Sequence, residues 1–194
     1  MTTTITISAT DSAAIRRDDE VITPFYKVGS TESYYNEWYY RGLMFFDLSI
    51  VPTNAQIISG RFELYVKDNL GANGGTYSIH RVQLYWIGSQ VTRWKRTTSA
   101  GWSSIGGNFD STSSAGLWMS ASESAGYKYF NLETAGVVNA QNIVSGSVQN
   151  YGFLIKNGED ANRAHGFDYA TNKPKLQITY KINAKKYPVM FFTS

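Results

Sequence analysis

The chain has 194 residues, 18 Lys and Arg against 15 Asp and Glu, a net charge of +3 and no cysteine. That length is enough for one domain with a sizeable core, and 17% charged beside 42% hydrophobic residues excludes a disordered chain. The missing cysteines exclude disulfides and thiolate metal sites, and no run of ~20 apolar residues is present to insert into a membrane as a helix.

The first residues, Met-Thr-Thr-Thr-Ile-Thr-Ile-Ser, alternate in polarity as a strand over residues 3–8 would. They carry neither the basic segment nor the apolar run of an export signal, so the expectation is a product made without a leader or with its leader removed. A charged run from Arg16 to Glu20 holds the acidic patch Asp18, Asp19 and Glu20, and a strand is predicted over residues 21–28. Next comes the densest aromatic cluster, Tyr34-Tyr35-Asn36-Glu37-Trp38-Tyr39-Tyr40. Three roles are open to Tyr34, Tyr35, Trp38 and Tyr40. Their rings can pack on the apolar face of a pyranose, form a protein interface, where Tyr and Trp are enriched, or simply alternate into the core of an early-starting strand.

A strand over residues 39–48 contains the apolar run from Leu43 to Leu48, and Pro52, which cannot donate to a ladder, closes the segment. Asp47, at the end of that run, suits a turn cap. Residues 57–67 follow, with Phe62, Leu64 and Val66 alternating against Arg61, Glu63 and Tyr65 in the period of a half-buried strand. After a Gly- and Asn-rich turn over residues 68–75, strands are predicted at 76–86 and 90–95, with Trp86 and Trp94 as core residues. Residues 99–125 read as one long Ser- and Gly-rich loop. Trp102 and Trp118 within it either pin the loop to the core or take the roles open to the earlier aromatic cluster. A strand at 127–132 leads to a helical pattern from Leu132 to Val144, which Gly146 would terminate. Strands at 150–156, 165–170 and 174–182 complete the series.

No catalytic motif is present: neither a G-x-S-x-G elbow, an H-E-x-x-H helix, a phosphate loop nor a dinucleotide fingerprint. The two histidines, His80 and His165, are too few for a His-rich metal site. A glycosidase needs two carboxylates flanking the sugar bond, and no spacing singles out such a pair, so the chain reads as a non-enzyme. No cofactor is indicated. A structural Ca²⁺ could draw oxygen ligands from Asp11, Asp18 or Asp168, without any supporting spacing.

The segment from Arg41 to Tyr65, R-G-L-M-F-F-D-L-S-I-V-P-T-N-A-Q-I-I-S-G-R-F-E-L-Y, resembles the signature of the DNRLRE domain family. The likeness continues in order through Tyr77 to Val82, Trp86, Trp102 with Gly106-Gly107, Asn150-Tyr151-Gly152-Phe153-Leu154-Ile155-Lys156, and Pro174 to Tyr180. It departs at Gly88, where the family has Glu, at the inserted Arg93, and at Lys95. Those modules are related to archaeal disaggregatase domains and to carbohydrate-binding modules. The resemblance implies an all-β, jelly-roll-like antiparallel β-sandwich, here with one short helix near residues 133–144. It also implies a non-catalytic part of a surface protein, a polysaccharide-acting enzyme or a phage particle.

The domain is expected over residues 1–182, leaving residues 183–194 as a tail that carries Val189, Met190, Phe191 and Phe192. An apolar segment of this kind either folds back on its own domain or docks on a neighbour. The first reading is a structural or binding module on the outside of a particle, such as a virion decoration, head-fibre or tail-associated subunit. Its partners would be capsid or tail proteins, further copies of itself, or a cell-surface or acidic polysaccharide. The basic C-terminal residues Lys173, Lys175, Lys181, Lys185 and Lys186 suit a polyanion, or else the solubility of an edge strand. Sequence-specific nucleic-acid recognition and membrane insertion are not indicated. The alternatives are a carbohydrate-binding module of a larger protein and, behind it, a polysaccharide-degrading enzyme.

Overall fold

The structure, a computed structural model, describes residues 1–16, 21, 23–24, 26–30, 39–71, 73–157 and 163–182. These residues form an antiparallel β-fold of sandwich type. The strands are β1 (Thr2–Ser8), β2 (Asp11–Arg16), β3 (Lys27–Ser30), β4 (Tyr39–Phe45), β5 (Ala55–Asn69), β6 (Gly75–Arg81) and β7 (Lys95–Thr97). They continue with β8 (Ala100–Gly101), β9 (Ala115–Met119), β10 (Gly126–Asn131), β11 (Phe153–Asn157), β12 (Arg163–Phe167) and β13 (Lys175–Ile182), and one helix, α1 (Thr134–Val144), precedes β11.

One curled sheet supplies both layers. Its path runs β1-β13-β5-β12-β3-β4-β11-β6-β9, with β10 paired to β5 and β2 paired to β4. The curl is written into β5, which is too long to serve one layer. Its first half pairs with β13, Phe62 and its neighbours pair also with β10, and its last residues turn to β12. The layer β1-β13-β5-β10 therefore faces the layer β2-β4-β11-β6-β9, and β12 and β3 carry the chain between them.

Alternation decides what lies between the layers. Phe62, Leu64 and Val66 of β5 point inward to meet Phe46, Met44, Phe153, Tyr77 and Ile79 in the main core. Phe62 and Phe153 sit edge to face with centroids 4.9 Å apart, and Phe46 lies 5.8 Å from Phe62. The run around Leu43 is apolar at successive positions because β4 is buried on both faces. Met44, opposite Phe153, serves the main core, while Leu43, opposite Leu154 and Ala13, serves a second cluster on the outer face. That cluster, with Ile15, Val82, Trp86 and Val91, is roofed by Trp102 and Phe109 from the connection between β6 and β9.

The helix is where its periodicity placed it, and Gly146 follows its end at φ +76°. Gln141 ties it to β5, donating to Ala55 O at 3.0 Å and accepting from Ile57 N–H at 2.8 Å. Asp47 caps a 3-10 turn over Leu48–Ile50 by accepting from Ser49 N–H at 2.9 Å. Hydrogen bonds from Ser49 hold its carboxyl below the ordinary value.

Several expectations need correction. The strand over 21–28 shrinks to Lys27–Ser30, because Pro24 cannot join a ladder. The strand over 90–95 begins only at Lys95, as β7: before it, Thr92 Oγ1 accepts from the N–H groups of Trp94 and Lys95 and closes a local turn. Trp94 is 48% exposed there rather than buried, with Arg93 over its ring. The long loop contains β9, and β2 had no counterpart in the predicted series. Finally, the lysines of β13 do not protect an edge, since β1 pairs with that strand from Lys175 to Lys181. Lys175 instead stands over the ring of Tyr127 at 4.9 Å.

Candidate functional site: an aromatic cleft at the end of β4 and β11

Four chain segments converge where β2, β4 and β11 meet the exit of β6. Asp11 opens β2, Phe45 closes β4, Tyr85-Trp86-Ile87 follow β6, and Gln149-Asn150-Tyr151 lead into β11; together they line a cleft of about 420 Å³. Its frame is fixed by hydrogen bonds. Trp86, 5% exposed, donates its indole N–H to Tyr151 O at 2.7 Å. Asn150 donates to Phe46 O at 2.7 Å and accepts from Gly152 N–H at 3.0 Å, so its amide is wholly structural. Asp11 is similarly committed, accepting from Ser12 N–H at 2.8 Å and from Gly88 N–H at 3.3 Å.

The cleft groups whose side chains take no part in that frame are Tyr85, Tyr151 and Gln149. Tyr85 is 55% exposed and meets Tyr151 with centroids 6.4 Å apart and planes inclined at 64°. No hydrogen bond ties either phenol hydroxyl, or the Gln149 amide, to the described residues. An exposed aromatic face with hydroxyl and amide groups beside it is a surface on which the apolar face of a sugar ring can pack. The cleft holds one carboxylate, Asp11, and that group is already spent on backbone donors.

The aromatic residues singled out by sequence are not gathered here. Tyr40 is buried, with the Lys27 ammonium 4.3 Å and the Arg16 guanidinium 5.6 Å from its ring centroid, so it belongs to the core edge. Trp102 is half-buried and pins the roof of the second cluster, donating to Thr92 O at 3.1 Å. Trp118 is 64% exposed on β9 opposite Thr76, beside the start of β6, whereas the cleft lies beyond its end. Tyr34, Tyr35 and Trp38 lie outside the described residues, as do Val189, Met190, Phe191 and Phe192. Among the Ca²⁺ candidates, Asp168 accepts from Thr171 N–H and Asn172, and Asp18 lies outside the described residues. Among the described residues no three His, Asp or Glu side chains come together as a metal would need.

The sequence from residue 17 to residue 179 matches the family model described as the disaggregatase related repeat domain. The chain belongs to that family. The match takes in every cleft residue except Asp11, which lies before its start, and it leaves out β1 entirely. No curated protein matches the chain.

The two histidines of this disaggregatase-related domain are structural. His165 is 1% exposed, bonded through Nδ1 to Tyr77 hydroxyl at 2.7 Å and through Nε2 to Ser120 O at 2.9 Å. Since a carbonyl only accepts, Nε2 carries the proton and Nδ1 accepts from tyrosine. His80 lies between Ser78 Oγ and Asp110 O, at 2.9 and 2.8 Å. Burial pulls both imidazoles below their ordinary pKa. The unfolded chain therefore takes up protons near pH ~6.5 that the folded chain refuses. Stability is complete above that pH and is lost as the pH falls from ~6.5 toward the folded values. The melting temperature should thus decline between pH ~7 and ~5, before carboxylates titrate; a flat profile across that window would show that the imidazoles are not held neutral.

Proposed function

We propose that this chain is a non-catalytic surface module, on the outside of a virion or cell, that holds a polysaccharide chain in the cleft between Tyr85 and Tyr151. The observation that carries this reading is the exposed ring of Tyr85 inclined to the half-buried ring of Tyr151, over a frame fixed by Trp86, Asn150 and Asp11. Membership in a family of repeat domains fits a module that binds rather than transforms. The single, committed carboxylate of the cleft fits the absence of hydrolysis, which needs an acid and a second carboxylate across the sugar bond.

The test is calorimetric titration with a neutral β-glucan and with a uronate-containing polysaccharide. Tyr85 is mostly exposed, so Tyr85→Ala leaves the fold intact and removes one stacking face. It should weaken binding of whichever polymer the chain holds by about 1–3 kcal/mol, the scale of one aromatic contact, at an unchanged melting temperature. Unchanged affinity in Tyr85→Ala, or the release of new reducing ends by the wild-type protein, would sink the proposal.

A further inference from the structure

Strand β1 ends the sheet path, and among the described residues β13 is the only strand paired with it. Its sequence, T-T-T-I-T-I-S, has no charge, no proline and no bulge against β13, and five of its seven residues are exposed threonine or serine. An edge of that length without a blocking device presents a row of backbone donors and acceptors to any matching strand. The other edges are treated differently. Strand β2 carries Arg16 and is met by the turn at Gly88, which donates to Asp11. Strands β9 and β10 lie side by side, and Ala115 and Leu132 at their ends are bridged.

We propose that two copies of this chain pair antiparallel through β1, about a two-fold axis at Ile5. The strand matches itself in that register. Ile5 faces Ile5 of the second copy, Thr4 faces Thr6, Thr3 faces Ile7 and Thr2 faces Ser8. Every pair but the last is β-branched, and no charge loses its water. The pleat is kept, so Ile5 and Ile7 stay on the core side and Thr2, Thr4, Thr6 and Ser8 stay on the outer side. The layer β10-β5-β13-β1 becomes one half of a continuous sheet crossing the two-fold, the closed isologous arrangement usual for a dimer. Uncharged, matched side chains specify a second copy over an unrelated strand. The tail beyond Ile182, which leaves β13 beside Thr2, is the competing occupant and is separated by the test.

The full chain is studied by sedimentation velocity from low micromolar to submillimolar concentration, with its melting temperature recorded. Wild type should reach twice the mass of one chain. Thr4→Lys with Thr6→Lys sets like charges opposite each other twice across the axis and should leave a monomer of normal fold. Thr4→Lys with Thr6→Glu sets opposite charges at the same two places and should keep the dimer. Should the lysine pair fail to fold, cysteine supplies the readout, since the chain has none of its own. Ile5→Cys puts two thiols on facing residues and should give a covalent dimer on oxidation, while Thr3→Cys, displaced from its copy along the strand, should not. A monomeric wild type overturns the proposal. So does a dimer indifferent to both charge pairs, as docking through the tail would give, or equal cross-linking at positions 3 and 5.

Discussion

Phe62→Ala should cost this domain about 3–5 kcal/mol, the usual loss for a fully buried aromatic replaced by alanine. The side chain is 0% exposed and joins its own layer to the facing one through Phe153 and Phe46. It stands in β5 where that strand is paired on both sides, to Phe130 of β10 and Leu176 of β13. Backbone held from two sides cannot collapse into the space the ring leaves, so the cavity persists and adds its own term to the lost transfer energy. Ile58→Ala, on the same strand but 43% exposed, should change stability by less than about 1 kcal/mol. Urea denaturation measures both. A Phe62→Ala midpoint within error of wild type would mean that the two layers do not pack through this ring.

The parts of the fold that could be read in the sequence are those where one physical pattern dominates. Strand β5 was visible because Phe62, Leu64 and Val66 face a core while Arg61, Glu63 and Tyr65 do not. The helix was visible because its apolar residues recur at helical spacing and a glycine follows. Strand β2 was hidden: its Asp-Ser-Ala-Ala-Ile-Arg has little intrinsic strand preference, and it becomes a strand by pairing along its whole length with β4. Strand β9 was hidden in the same way, its Ala115 and Gly116 resembling loop until set against Ile79 and Ser78 of β6.

The cleft was harder still, because its residues are scattered over more than a hundred positions and none is unusual where it stands. Tyr85 looks like the residue before a core tryptophan, and Tyr151 like part of a strand entry. The conspicuous aromatic cluster drew notice by density, yet Tyr40, its described ring, is buried beside cations. The usable local signal was Asn150-Tyr151-Gly152: an aspartate-like turn former, an aromatic and a glycine directly before a strand.

Gly152→Ala should be strongly damaging for so small a substitution, and it joins the fold to the cleft. The residue has φ +79°, and a Cβ there would lie 2.3 Å from Met44 O and 3.2 Å from Phe45 Cα, both backbone atoms that cannot rotate away. The left-handed conformation costs an L-residue roughly 1–2 kcal/mol, and overpacking adds typically 1–3 kcal/mol, so a total of about 2–5 kcal/mol is expected. Gly146→Ala isolates the first part, since φ is +76° there but no atom lies within 4 Å of the added carbon; it should lose only about 1–2 kcal/mol. To make room at Gly152, β11 must move away from β4. That displaces Tyr151, whose carbonyl holds the Trp86 indole, so the two walls of the cleft part. Gly152→Ala should accordingly lower both melting temperature and polysaccharide affinity, where Tyr85→Ala lowers affinity alone. Equal melting temperatures for Gly152→Ala and Gly146→Ala would show that β11 does not pass this close to β4, and the cleft built on that approach would go with it.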